Sequence, residues 1–173
     1  MVQSVELVLD EASEAAVRRQ WAALSELGLH TPGPGYRPHI TIAVAAEIWP
    51  RLDKVLAQQD FRPFPVRLGG LLVFGSRAAV LVRAVVPSEP LISLQHRLFR
   101  VIADCPGIPG NVRPDSWTPH VTLARRLKPG QFDAALGAVG WDKDVRATVE
   151  GIRRWDGDRR AEWSVTAGDR PAR

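Results

Sequence analysis

Two histidines with matching neighbours are the residues of this sequence best suited to chemistry. The runs Pro38-His39-Ile40-Thr41-Ile42-Ala43 and Pro119-His120-Val121-Thr122-Leu123-Ala124 share one pattern. Each holds proline, histidine, a branched apolar residue, threonine, another branched apolar residue and alanine. The copies lie in different halves of the chain, and each opens an apolar run typical of a β-strand. The repetition predicts one site built from both halves.

The side chains of this repeat could catalyse in-line attack at phosphorus. Imidazole titrates near neutrality, so one ring can accept a proton while the other donates one. Threonine hydroxyls can donate hydrogen bonds to phosphate oxygens. We therefore expect His39 and His120 to be catalytic and Thr41 and Thr122 to bind phosphate, with neither a metal nor a cofactor required.

Strand geometry predicts which side chains of each motif share a face. Residues two apart in a strand project to the same side, so each histidine and its threonine point together and the apolar residues between them pack against helices. The small residues that the same alternation places beside the motifs are Ala43, Ala45 and Ala124. Their size would leave room for a ligand.

Two other interpretations compete with catalysis at phosphorus. A zinc site could use both histidines, although the sequence offers no obvious third ligand at metal-binding spacing. An RNA-binding module could keep the pocket without relevant turnover. Replacing either histidine with alanine distinguishes the enzyme from the module, because hydrolysis should be lost while the fold is kept.

The composition is that of an ordinary globular protein. With 173 residues, 45% hydrophobic and 24% charged, we expect residues 1–173 to form one domain of two pseudo-symmetric lobes. A single cysteine, Cys105, excludes an intramolecular disulfide framework and any multi-cysteine metal site. The net charge is +4, and its uneven distribution, with most arginines after residue 60, would suit a polyanion such as RNA. The first residues lack the features of a signal peptide or membrane span, so we expect a cytoplasmic protein without a membrane partner. We also expect a monomer.

Hydrophobic periodicity predicts an α+β fold. Strands are predicted at residues 4–10, 39–45, 64–74, 79–86, 120–125, 145–155 and 161–166, and helices at 11–27, 88–104 and 129–139, with a short helix after Pro50. The second half of this order partly echoes the first. It predicts two mainly antiparallel sheets facing a central cleft, with helices outside and a flexible tail at 168–173. The Pro/Gly-rich segments 31–38 and 106–119 would form the cleft rims.

The motif pair and the duplicated element order resemble the two-histidine (2H) phosphoesterase superfamily, especially its bacterial 2′-5′ RNA ligase-like (LigT-like) branch. The motif of that family is His-x-Thr/Ser-x with a hydrophobic last position. His39-Ile40-Thr41-Ile42 and His120-Val121-Thr122-Leu123 both match it. The resemblance implies a bilobal fold with the motif strands in the cleft, and metal-independent opening of a 2′,3′-cyclic phosphate to a 2′-phosphate.

The same resemblance implies roles for the motif residues. His39 would protonate the departing ribose 3′-oxygen, His120 would activate water, and Thr41 and Thr122 would hold the phosphoryl oxygens. The acid and the base can be exchanged in this scheme. The substrate could be RNA, a small cyclic nucleotide or a 2′-5′-linked oligonucleotide, and slow joining of ends through a 2′-5′ bond is the reverse reaction.

Residues around the motifs supply further candidates. The resemblance implies an arginine shortly after the second motif that contacts phosphate, at the position of Arg125. Strict pleating favours Arg126 instead, unless a β-bulge turns Arg125 toward the site. Tyr36 and Trp117 precede the motifs and could stack on a base or anchor their loops. Phe74, at the end of a hairpin strand, could line the cleft or pack in the core.

Overall fold

The computed structural model describes residues 2–75, 78–140 and 143–166. The predicted tail at 168–173 and the turn residues Ser76 and Arg77 lie outside that part of the chain. The strands are β1 (Gln3–Leu9), β2 (His39–Ala45), β3 (Phe64–Phe74), β4 (Ala79–Val85), β5 (His120–Leu127), β6 (Val145–Asp156) and β7 (Ala161–Ser164). The helices are α1 (Glu11–Glu26), α2 (Leu52–Ala57), α3 (Glu89–Ile102) and α4 (Phe132–Val139), with 3₁₀ turns at Gly110–Val112 and Pro129–Gln131.

The strands form one antiparallel sheet in the order β2-β1-β6-β3-β4-β5, with β7 paired to β6. The predicted α+β class and antiparallel pairing are confirmed. The two predicted sheets are joined into one. Strand β6 joins them, because it is long enough to pair with β3 along its first half and with β1 along its second. Among the described residues, no helix combines the length and apolar character needed to cross a membrane.

The sheet curves so that its two ends meet. β2 and β5 stand at opposite ends of the strand order, yet they contact each other without closing the sheet. Helix α3 packs behind β2, and helix α1 packs behind β5. Each motif strand is therefore supported by a helix from the other half of the chain.

Local sequence explains where the first long helix begins and ends. The carboxylate of Asp10 accepts a hydrogen bond from the Ser13 amide and so caps the N-terminus of α1. Gly28 adopts a φ of +71° just after the helix, a conformation that favours glycine. Val17 and Leu24 lie on the buried face between these two ends.

A β-bulge follows the threonine of each motif. On β2, Thr41 lies opposite Glu6 while Ala43 lies opposite Val5, so one residue of β2 is extra. On β5 the same extra residue falls after Thr122. A bulge reverses the alternation of the strand beyond it. The expectation that Ala43, Ala45 and Ala124 line the cleft is therefore wrong, and all three are fully buried in the core.

Candidate active site

The two motif imidazoles begin their strands in equivalent orientations. His39 Nδ1 lies 2.7 Å from the carbonyl oxygen of Arg37, and His120 Nδ1 lies 2.7 Å from that of Thr118. A carbonyl oxygen only accepts, so these contacts favour a proton on each Nδ1, although at His39 the donor Arg153 Nη2 also lies 3.2 Å from Nδ1. Nε2 of each neutral ring then keeps its lone pair. Both rings are partly exposed, so each Nε2 is able to take or give a proton.

Two indoles brace the motif strands from the opposite half of the chain. Trp21, on α1, donates from Nε1 to the carbonyl oxygen of Thr122 at 2.9 Å. Trp117, in the loop before β5, donates from Nε1 to the carbonyl oxygen of Thr41 at 3.0 Å. The indole from the first half of the chain thus binds the threonine carbonyl of the second motif, and the indole from the second half binds that of the first motif.

Backbone hydrogen bonds repeat this crossing. The amide of Ala46, just after β2, donates to Pro106 in the loop before the second motif at 2.9 Å. The amide of Arg125, on β5, donates to His30 in the loop before the first motif at 2.8 Å. The loops that deliver one motif therefore hold the strand of the other. We call these two hydrogen bonds and the two indole contacts the crossed tethers.

Both imidazoles have a lowered pKa, for partly different reasons. Burial is the largest cause of the lowered pKa of His39; the Glu6 carboxylate and the Arg37 carbonyl oppose it, while Arg153 and Arg125 add to it. Burial also dominates the lowered pKa of His120; the Thr118 carbonyl opposes it, and the charges of His39 and Arg125 add to it. Only the first imidazole has a carboxylate beside it among these influences.

A bulge near the end of β5 breaks the alternation of the strand at Arg125 and Arg126. Ala79 and Leu81 of β4 pair with Leu127 and Ala124 of β5, so β5 contains one extra residue over this interval. Arg126, within the interval, has a φ of +60°. The guanidinium charge of Arg125 lowers the pKa of both motif histidines. Arg125 is therefore close enough to both imidazoles for its charge to disfavour their protonated forms.

The threonines complete the group. Thr41 and Thr122 are partly buried, two residues beyond their histidines and on the same face of the strand. Within the described part of the chain, no hydrogen bond engages either hydroxyl. The two threonines thus add two hydroxyl donors on the strand faces that carry the two imidazoles.

A comparison with protein families identifies the family of this chain from a segment that begins after the first motif. A model of the 2′-5′ RNA ligase superfamily matches residues 45–161, about two thirds of the chain, including the second motif. This chain belongs to the 2′-5′ RNA ligase superfamily. The family predicted from the motif pair is thereby confirmed, and membership supports a phosphoesterase activity. No curated protein sequence gives a significant match.

Solved structures agree with this family in their fold. TT0787 of Thermus thermophilus is similar with a TM-score of 0.64 and 23% identity, over 95% of this chain and 94% of that one. Apo LigT of E. coli gives 0.59 and 17%, over 94% and 93%. Usb1 of Kluyveromyces marxianus gives 0.52 and 13%, over 95% and 97%.

The aromatic candidates of this superfamily member occupy three different positions. The Phe74 ring meets the His120 ring edge-on, with centroids 4.9 Å apart, and so lines the site. Tyr36 is 49% exposed, and its ring contacts the Trp155 ring with the two ring centroids 5.9 Å apart. Trp117 packs against the core with its N–H bound to Thr41, which favours loop anchoring over base stacking.

Sequence reasoning missed the polar residues beside His39. Glu6 lies directly opposite Thr41 on one side and Arg153 on the other, and both side chains are almost completely buried. A signal was present, because Glu6 alternates with the core residues Val5 and Leu7 and must face away from them. The strand order that brings Arg153 beside it could not be read from periodicity.

The remaining histidines and the rival zinc site receive no support from the fold. His30 contributes its backbone to a bridge with Arg125, and His96 lies on α3, outside the motif strands. Among the described residues, no three His, Cys, Asp or Glu side chains gather closely enough to hold a metal ion. Cys105 is buried as a free thiol.

Proposed function

We propose that this protein is a metal-independent phosphodiesterase that opens 2′,3′-cyclic phosphates, on RNA ends or small nucleotides, to 2′-phosphates. One observation carries the proposal. Two imidazoles with Nδ1 on a backbone carbonyl begin the two motif strands, and the charge of one guanidinium, that of Arg125, acts on both. Acid, base and anion-binding group are the requirements of in-line displacement at a phosphodiester.

The reaction assigns one proton transfer to each ring. Nε2 of one neutral imidazole takes a proton from water as the water oxygen bonds to phosphorus. The bond from phosphorus to the ribose 3′-oxygen breaks, and that oxygen receives a proton from Nε2 of the other, protonated ring. Thr41, Thr122 and Arg125 bind the non-bridging oxygens, whose negative charge they stabilise in the transition state.

Every step of this scheme is performed by a side chain of the protein. The nucleophile is water under general-base control and the leaving group is protonated, so no Lewis acid is needed. We expect chelation by EDTA to leave turnover unchanged. Loss of activity on chelation, and its return with a divalent cation, would overturn the metal-independent mechanism.

A nucleotide substrate is supported by the surfaces around the phosphate position. Phe74 lies against His120, and half-exposed Tyr36 lies on the rim of the first motif, so both are candidates to stack on a base. LigT of E. coli, which shares the fold, has been solved with 3′-AMP and with phosphate. Slow joining of RNA ends through a 2′-5′ bond follows as the reverse reaction.

Alanine variants of the two histidines test the proposal. His39→Ala and His120→Ala should each lower turnover of a 2′,3′-cyclic mononucleotide and of cyclic-phosphate-ended RNA by at least about 10²-fold, the usual contribution of one acid or base. His96→Ala, on α3 and outside the site, is the matched control and should keep wild-type rates. Circular dichroism should show the fold unchanged in all three variants.

Two outcomes would contradict the enzyme. Full turnover in either motif variant would remove that histidine from the chemistry. A wild-type protein that binds RNA but releases no 2′-phosphate from any of these substrates would instead be an RNA-binding module. Product identification by chromatography distinguishes a 2′-phosphate from a 3′-phosphate.

A further inference from the structure

A buried ionic network lies against His39. Glu6 Oε1 is 3.4 Å from His39 Nε2 and accepts a hydrogen bond from the Ser4 hydroxyl at 2.7 Å. Glu6 Oε2 accepts from Arg153 Nε at 2.8 Å and pairs with Arg153 Nη2 at the same distance. Both carboxylate oxygens are therefore held, and the one that faces the imidazole is fixed in place.

Within the network of Glu6, Arg153 and Glu162, the carboxylates favour a protonated imidazole, against the positive charge of Arg125. Arg153 pairs with Glu6 on one side and with Glu162, toward solvent, on the other. Two carboxylates and one guanidinium leave one negative charge. A proton on Nε2 of His39 neutralises it, and at a site where Glu6 is 3% exposed such pairing matters more than at a surface.

The second imidazole has an apolar wall at the equivalent place. Glu6 lies between Thr41 and Arg153 in the sheet; the matching position on β4, between Thr122 and Leu72, is Val82. His120 has Phe74 at its edge. Two motifs alike in sequence are thus placed against opposite environments, one ionic and one apolar.

We propose that Glu6, held by Ser4 and Arg153, is a positioning residue that stabilises the proton on Nε2 of His39 and so favours the acid role that the family resemblance implies for His39, with His120 as the general base. This assignment rests on the proposed phosphodiesterase activity. His120 takes the proton of the attacking water, and the electron pair of the breaking P–O3′ bond takes the proton of His39. Exchange of one proton with solvent at each ring restores the starting state.

Other charged groups also face His39 and enter the balance. Arg153, on β6, and Arg125, on β5, both oppose the protonated ring, while Glu6 favours it. The charged and titratable groups around the ring are Glu6 on β1, Arg153 on β6, Glu162 on β7 and Arg125 and His120 on β5. Among these, Glu6 is the carboxylate in contact with the imidazole.

The test is a titration of both rings by NMR in the full-length protein, with and without Glu6→Gln. The substitution keeps the shape of the side chain and removes its charge. We expect the pKa of His39 to fall further and that of His120 to move far less. Glu6→Asp, which restores the charge, should recover part of the change. Glu162→Gln is the matched control, because it removes a carboxylate from the same guanidinium on the solvent side and should shift His39 less.

The pH dependence of kcat/KM for a 2′,3′-cyclic mononucleotide supplies the second readout. Loss of the Glu6 charge should move the high-pH limb of the profile to lower pH and leave the low-pH limb in place. A shift of one unit lowers kcat/KM about tenfold at a pH above that limb. A purely structural role would lower the rate equally at every pH.

The possible results separate the two proposals. An unchanged His39 titration in Glu6→Gln, in a variant that circular dichroism shows to be folded, would overturn the role of Glu6. Movement of the low-pH limb would make His39 the base and refute the assignment. A wild type without turnover would remove the proposed function, while the titration would still decide whether Glu6 holds the proton of His39.

Discussion

Trp117→Phe tests whether the crossed tethers stabilise the site. The variant keeps an aromatic ring but loses the N–H that the Thr41 carbonyl oxygen accepts at 3.0 Å. A hydrogen bond of this kind contributes about 1 kcal/mol net, and more when the remaining partner is buried. The smaller ring also packs less well against the core, so we expect a loss of about 1–2 kcal/mol in the free energy of unfolding.

That loss is measurable by guanidinium denaturation followed by circular dichroism, and by the melting temperature. For a domain of this size, about 1 kcal/mol corresponds to about 2–4 °C. Trp21→Phe is the matched variant, because it removes the equivalent contact with Thr122. Trp21 is only 6% exposed, so its loss should be at least as large.

Kinetics separate bracing from base stacking. If Trp117 braces the strand of Thr41, the variant should lower kcat through a displaced motif and leave KM for a cyclic mononucleotide nearly unchanged. Unchanged stability together with a raised KM would refute the bracing role. Trp117 would then contact the substrate, as the sequence also allowed.

Two further variants probe the anion position and the first helix. Arg125→Ala should lower kcat/KM about 10–100-fold, the effect of one charge-assisted hydrogen bond. Arg126→Ala should change it less than about threefold. Equal losses for the two variants in steady-state assays would contradict phosphate binding by Arg125. Asp10→Ala should lower the free energy of unfolding at pH 7 by about 1–2 kcal/mol. Burial raises the pKa of Asp10, but hydrogen bonds from Thr148 and Ser13 outweigh it and the net pKa is lowered. This stabilisation is present above the pKa of the unfolded chain and is lost as pH falls through the lower folded pKa, so chemical denaturation should show wild type and variant converging in acid.

Most of the fold could be predicted because the sequence is locally consistent. The bounds of β2 and β3 match the predicted segments 39–45 and 64–74, and Pro/Gly-rich loops separate elements of clear periodicity. The two histidines were predictable for the same reason, since the motif repeats at the start of two strands. These are properties of neighbouring residues.

The missed features depend on contacts between distant parts of the chain. The bulges after Thr41 and Thr122 arise from pairing with β1 and β4, and they reversed the alternation that placed Ala43 and Ala124 in the cleft. The partnership of Glu6 with Arg153 requires β1 and β6 to be neighbours. Strand order is a tertiary property, and it cannot be predicted from the hydrophobic periodicity of single strands.

The position of the motif strands at the ends of the sheet order has a consequence for solubility. An open sheet exposes unpaired backbone groups along its outer strands, and a strand of another molecule can add there and start aggregation. In this protein the outer strands are also the ones that carry His39 and His120. Because the protein's own indoles and loops occupy backbone groups at those edges, the contacts that align the two histidines also protect the sheet from intermolecular pairing.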